Sequence, residues 1–318
     1  MAEIKHRMIQ TNGINMRIAE AGEGPLVLLV HGFPESWYSW RHQLPALAAA
    51  GYHAVAPDVR GYGSTDAPEP IEAYSMKQLT ADMAGVLDAL GEKTAVIAGH
   101  DWGAPIAWTS ALLYPERFRA VIGMSVPYTG RPPMAPTQLF KAMFQDNFFY
   151  ILYFQEPGVA EAELQADVRR SLRLFLYAAS GDLPPGGNFM LKKSDATFLE
   201  GMPEPEKPLS WLTEADLDYF TAEFERTGFR GGLNRYRNMD RDWEELPQLQ
   251  DAKIQQPSLF IAGERDAVIA MNPAGIETMK QNASDLRKVV LLPGCGHWTQ
   301  QERPQEVNAE MIAFLKGL

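Results

Sequence analysis

Asp101 sits in the run Gly99-His100-Asp101-Trp102-Gly103, after the apolar stretch Ala95 to Ala98 and before a helical pattern, Ala104 to Tyr114, that Pro115 stops. Small residues on both sides let a chain turn sharply and hold the central side chain out at a helix N-terminus, where negative charge is stabilised. A carboxylate at such an elbow suits displacement at a saturated carbon. Attack on an amide or ester would give an anhydride, whereas attack on carbon gives an alkyl ester. That ester must then be hydrolysed, and histidine is the side chain whose pKa suits activating a water. His297, in Gly294-Cys295-Gly296-His297 after the run ending at Leu292, fills that role. Asp266, after the run ending at Ala262, would hold the imidazole tautomer and stabilise the imidazolium. An aspartate that only capped the following helix would leave the paired glycines and the histidine unexplained.

A third turn completes the set. His31-Gly32-Phe33-Pro34 follows Leu26 to Val30, so the backbone N–H of Phe33, with that of Trp102, can form an oxyanion hole facing the elbow. His31 and His100 adjoin the site and are read as orienting backbone. His6, His42 and His53 have no such context. No Cys/His cluster has zinc-like spacing and Cys295 is the single cysteine, so no metal, no other cofactor and no disulfide is expected.

These residues need a scaffold that brings the ends of several strands together. Asn12-Gly13 between Arg7–Gln10 and Ile14–Ala19 reads as a hairpin with a type I′ turn. Beyond it, short apolar runs at Leu26–Val30, Ala54–Ala56, Ala95–Ala98, Ala120–Met124, Ser258–Ala262 and Val289–Leu292 lack the polar alternation of half-exposed strands. Helical patterns separate them: Ser75 to Leu90 with Gly91 as C-cap, Ala104 to Tyr114, and Val307 to Leu315. The alternation predicts an α/β fold, a mostly parallel sheet flanked by helices, whose sites form outside the carboxyl ends of the strands. Thr129 to Trp243 breaks the pattern, being rich in Phe, Tyr, Met and Pro. The expectation is a core of 1–128 and 244–318 with a mainly helical cap, 129–243, inserted over the sheet. Nucleophile, acid and base then follow in the order Asp101, Asp266, His297, which is the α/β-hydrolase order.

Composition narrows the partners. At 46% hydrophobic and 22% charged residues the chain is globular and neither disordered nor a coiled coil. A formal charge of −11 would repel phosphate backbones, which argues against nucleic acid. Met1 to Glu20 holds no uninterrupted apolar stretch and no segment is long enough for a membrane span, so a cytoplasmic address is expected.

The same residues resemble the α/β-hydrolase-fold epoxide hydrolases, particularly the C-terminal domain of the animal soluble enzyme and the plant enzymes, and the resemblance covers nearly the whole chain. It rests on His31-Gly32-Phe33-Pro34-Glu35-Ser36-Trp37, Asp58-Val59-Arg60-Gly61-Tyr62-Gly63 and the Asp101 elbow. Two cap segments add to it, Leu152-Tyr153-Phe154-Gln155-Glu156-Pro157-Gly158 and Asn234-Arg235-Tyr236-Arg237-Asn238-Met239. The resemblance implies conversion of an epoxide to a vicinal diol through an Asp101 ester. It also implies two cap tyrosines, Tyr153 and Tyr236, that hold and protonate the epoxide oxygen, and a substrate site of Phe33, Trp102, Tyr153, Gln155 and Tyr236. The implied partner is a small apolar epoxide, met by a monomer or homodimer. Two phenols can bind a developing alkoxide without a metal.

A haloalkane dehalogenase resembles the chain in the Asp-Trp elbow, the histidine base and the ester. The two tyrosines weigh against it, as does Phe33 where that family commonly has a polar residue. A catalytically silent ligand-binding homologue would have no need of a water-activating base, and an esterase would need a serine at the elbow. Met143, Phe144, Phe148, Phe149, Leu152 and Phe154 can line an apolar tunnel or form the cap's own core.

Overall fold

The computed structural model describes residues 2–184 and 192–318. Lys5–Thr11 (β1) and Ile14–Ala21 (β2) form an antiparallel hairpin. Its turn residues Asn12 and Gly13 have φ of 41° and 77°, the two positive values that a type I′ turn requires. The remaining strands are Leu26–Val30 (β3), His53–Pro57 (β4), Ala95–His100 (β5), Phe118–Met124 (β6), Ser258–Gly263 (β7) and Leu286–Leu292 (β8). They assemble as one eight-stranded sheet in the order β1-β2-β4-β3-β5-β6-β7-β8. The pairs β1/β2 and β2/β4 are antiparallel and all others are parallel.

The unalternating runs are central because both faces of the sheet are covered: every residue of β3, β5 and β7 is buried. The expected strand Val289–Leu292 begins three residues earlier. As the outer strand β8 it exposes Arg287 and Lys288, which hid its start from a search for continuous apolar residues. Gln43–Ala49 (α1), Met76–Leu90 (α2) and Gly103–Leu113 (α3) connect the first strands.

Between β6 and β7 the chain leaves the sheet. The described helices there are Pro136–Phe144 (α4), Tyr150–Tyr153 (α5), Val159–Ala166 (α6), Val168–Ala178 (α7), Glu214–Thr227 (α8), Arg230–Arg237 (α9) and Met239–Glu245 (α10). The expected cap also includes 185–191, which lie outside the described residues. An aromatic seam joins this insertion to the sheet's upper edge. Phe33 meets Phe154, Phe175, Phe229 and Tyr236 with ring centroids 5.6 to 6.3 Å apart. After β7 come Ala267–Met271 (α11) and Gly275–Asn282 (α12), and after β8 come Thr299–Glu302 (α13) and Pro304–Lys316 (α14). Among the described residues no helix is long and apolar enough to cross a membrane.

In parallel register Val30 lies beside Gly99, His100 beside Met124, Met124 beside Ile261, and Gly263 beside Leu292. The carboxyl ends of β3, β5, β6, β7 and β8 are therefore level. The loops that leave them carry Phe33, Asp101, Ser125, Asp266 and His297.

Candidate active site

Asp101 has φ of 51°, a left-handed conformation that a residue with a Cβ adopts only where its surroundings impose it. The two glycines make it possible. A Cβ on Gly99 would lie 1.9 Å from the carbonyl oxygen of Gly103, so the elbow closes on itself only without one. Gly99→Ala is expected to destabilise the fold by about 3 kcal/mol or more, read as a melting temperature lowered by roughly 5 °C or more, with loss of turnover. A variant that melts like wild type would refute this account of the turn.

Gly32 passes equally close to the Asp101 carboxylate, since a Cβ there would be 2.3 Å from Asp101 Oδ1. That approach lets the Phe33 N–H donate to Asp101 Oδ1 at 2.8 Å. The Trp102 amide, expected as the second donor, stands at the head of α3 and is not bonded to the carboxylate. Asp101 Oδ2 remains turned toward His297, 3.3 Å from Nε2. On the other side of the ring, His297 Nδ1 lies 3.1 and 3.2 Å from the two oxygens of Asp266. Burial opposes a charge on His297, but Asp266 and Asp101 outweigh it and hold its pKa well above the ordinary value. Burial likewise opposes the Asp266 charge, and the imidazolium together with donors from Ser125 and Val268 keeps this carboxyl below its usual range.

A cavity of about 740 Å³ opens above Asp101. Asp101, Trp102, Tyr150 and Tyr236 line it, with Met143, Phe144 and Phe149 farther along its wall. Phe148 and Phe154 are instead buried in the hydrophobic core, with Leu152 packed against it. The Tyr150 and Tyr236 rings are 6.0 Å apart at 81°, and the Tyr236 ring stands edge-on to Trp102 at 5.0 Å. Burial, and then the Asp101 charge, push both phenols above their ordinary range, so each stays protonated as a donor. Among the described residues no group of three or more His, Cys, Asp or Glu is placed to hold a metal ion.

Comparison with known proteins gives this geometry its context. The family described as "alpha/beta hydrolase fold" matches residues 25–304. Epoxide hydrolase A of Mycobacterium tuberculosis is 48% identical over 98% of this chain and 97% of its own. The crystal structure of epoxide hydrolase A from Mycobacterium thermoresistibile superposes with a TM-score of 0.95 at 53% identity, covering 99% of both chains. Potato epoxide hydrolase I gives 0.90 at 37%, covering 99% of this chain and all of its own. This chain belongs to the α/β-hydrolase-fold epoxide hydrolases.

Within this epoxide hydrolase, two expected positions differ. Tyr153 does not reach the cavity: its hydroxyl donates to Glu163 Oε2 at 2.8 Å, on the α6 side of the cap. The phenol beside Tyr236 in the cavity above Asp101 belongs to Tyr150. Both tyrosines lie on the single turn α5, and three residues of helix rotate a side chain by about 60° and shift it by about 4.5 Å, enough to send one phenol inward and the other out. Gln155 is also displaced from its expected role. Its amide donates to the carbonyls of Ile151 and Tyr236 at 2.8 and 3.1 Å, tying α5 to α9 and setting the spacing of the two tyrosine-bearing segments.

His31 and His100, read from the sequence as orienting backbone, both contact it, whereas Glu35 and Glu302 were not singled out there as supporting residues. His31 Nε2 accepts the Val59 N–H at 3.0 Å while Nδ1 faces the Gly32 carbonyl, so it fixes the turn that presents Phe33. His100 spans Glu35 Oε1 at 2.6 Å and the His297 carbonyl at 2.7 Å, with both ring nitrogens facing oxygens. Burial opposes the charge on Glu35, yet the His100 contact holds its carboxyl at about 2. Glu302 accepts the N–H groups of Gly296 at 2.8 Å, Gly181 at 2.9 Å and Trp298 at 3.1 Å, clamping the chain on both sides of His297 and joining it to the insertion. The only signal for Glu302 was its place five residues beyond His297 in the next helical turn, which by itself names no partner.

Proposed function

We propose that this hydrolase converts a small apolar epoxide to a vicinal diol through a covalent ester on Asp101. The observation that carries the reading is the orientation of the Asp101 carboxylate. One oxygen is held by the Phe33 amide, and the other, facing His297 Nε2 at 3.3 Å, lies below the cavity lined by Tyr150 and Tyr236. Oδ2 attacks an epoxide carbon, the carbon–oxygen bond breaks, and the departing alkoxide takes a proton from the tyrosine pair. In this reading Tyr150 and Tyr236 are the acids, replacing the expected Tyr153 and Tyr236.

Ester formation removes the Asp101 charge, and with it one of the two anions that favour imidazolium at His297. The imidazolium then gives up its proton more readily, restoring the phenol that protonated the alkoxide, and the neutral imidazole becomes a base for water. Water gives one proton to His297 Nε2 as it attacks Cγ of Asp101, and the charge on Oδ1 is met by the Phe33 amide. Collapse breaks the Cγ–Oδ2 bond, so that the diol leaves with the second water proton and the carboxylate and imidazolium are restored. Asp266 keeps the protonated Nδ1 oriented throughout. The same reading assigns 1–128 and 244–318 to the core, 129–243 to the cap, and the protein to the cytoplasm as a monomer or homodimer.

Assay of the purified protein against matched epoxides, haloalkanes and esters, with and without exhaustive chelation, tests this function. Diol release from epoxides, unchanged by the chelator, is expected. Halide release without diol formation, or activity lost to chelation and restored by zinc, would overturn it.

A further inference from the structure

Ser125 lies one residue beyond β6, is fully buried, and has φ of 69°. The Val126 N–H donates to the Met124 carbonyl at 2.8 Å, closing a three-residue turn around it. Such γ-turns with positive φ are rare and strained, and a serine in one needs a reason to be there. The Ser125 N–H is also used, donating to the Ile261 carbonyl of β7 at 3.0 Å. Backbone and sheet together therefore fix where the side chain points.

It points between the base and the acid. Ser125 Oγ lies 2.6 Å from Asp266 Oδ2 and 2.9 Å from His297 Nδ1, nearer to that nitrogen than either oxygen of Asp266. A hydroxyl has one proton and two lone pairs. The short contact to an ionised carboxylate takes the proton, as a charge-assisted bond. A lone pair is then left to accept from Nδ1–H. Asp266 Oδ1 is meanwhile engaged by the Val268 N–H at 2.9 Å.

We propose that Ser125 is a positioning residue of the second chemical step, sharing the Nδ1 proton of His297 with Asp266 and locking the imidazole so that Nε2 faces the ester. The assignment rests on the covalent mechanism above. It implies that the strained turn persists because it places this hydroxyl, and that ester formation, which needs only Asp101 and the tyrosines, depends on it little.

Three variants separate the hydroxyl from the backbone. Ser125→Gly removes the side chain and suits the positive φ, Ser125→Ala removes the hydroxyl and keeps the strain, and Ser125→Asn tolerates a left-handed conformation while offering both a donor and an acceptor. Single-turnover experiments with intact-protein mass read the rates of ester formation and ester decay separately. Decay is expected to slow by about 10-fold or more in Gly and Ala, the scale seen when partners that orient a functional imidazole are removed. Ester formation should stay near wild type, and Asn should recover much of the decay rate. Wild-type decay in Ser125→Gly, or equal slowing of both steps in Gly and Asn, would overturn the role of Ser125. Failure of the covalent reading would look different, because then no ester would form in the wild-type protein at all.

Discussion

Replacing Tyr150 or Tyr236 by phenylalanine is expected to slow ester formation by about 10²-fold each, and replacing both by about 10⁴-fold, the range over which a positioned acid acts. The reason is the alkoxide. Ring opening releases a strongly basic oxygen into a cavity whose walls near Asp101 are aromatic, and these two phenols are the donors placed above the nucleophile. With one removed, the other still supplies a hydrogen bond, so single variants retain measurable rates. Tyr153→Phe is the control that separates the structure from the expectation drawn from sequence. It should leave ester formation close to wild type and lower stability by about 1 kcal/mol through the lost bond to Glu163. Rapid-mixing measurement of ester formation decides the matter. Near-normal rates in the Tyr150 variant together with a large loss in Tyr153→Phe would restore the original assignment and refute the geometric one.

His297→Gln should trap the intermediate. Glutamine retains a polar side chain near Asp101 but cannot take a proton from water, so ester decay should fall by about 10³-fold or more while the ester still forms. The intact mass would then rise by one substrate mass, and Asp101→Asn would show no such rise unless its amide reverts to Asp. If instead a His297-activated water attacked the epoxide directly, the glutamine variant would be inert and unmodified. Labelled water gives the complementary result. A single turnover of wild-type enzyme should leave label in the Asp101 carboxylate and not in the first diol released. Label in that diol, with an unmodified His297→Gln protein, would remove Asp101 from its role as nucleophile. The pH dependence carries a sign as well. Asp101 and Asp266 raise the His297 pKa in the free enzyme, and the ester abolishes one of those charges. The acid limb of ester decay should therefore lie at lower pH than the titration of His297 in the resting enzyme.

Much of this site was legible because its parts are local. Gly99-x-Asp101-x-Gly103 reports a turn that only small residues permit, and the runs before Phe33, Asp101 and Asp266 are continuous because central strands are covered on both faces, while the run before His297 is the end of the outer strand β8. Parallel strands with level carboxyl ends then bring four distant segments together without further information. Family resemblance pointed to both cap segments but took Tyr153 in the first, where Tyr150 is the phenol that lines the cavity, since the two differ only by most of one helical turn and no local pattern says which side of α5 faces Asp101.

What the sequence by itself determined was therefore the fold class, the strand ends that Asp101, Asp266 and His297 follow, and the turns that carry them, each set by periodicity or by the conformational demands of a few residues. Tertiary structure alone decided which hydroxyls enter the site. Tyr150 enters because α5 packs with that face toward α9, and Gln155 becomes a tie because two carbonyls from separate segments meet at its amide. Ser125 reaches His297 because β6 ends beside β7 in a strained turn. Hydrogen bonds between groups 81 to 172 residues apart depend on distances of a few ångströms, and those distances exist only once both segments are packed in the same fold.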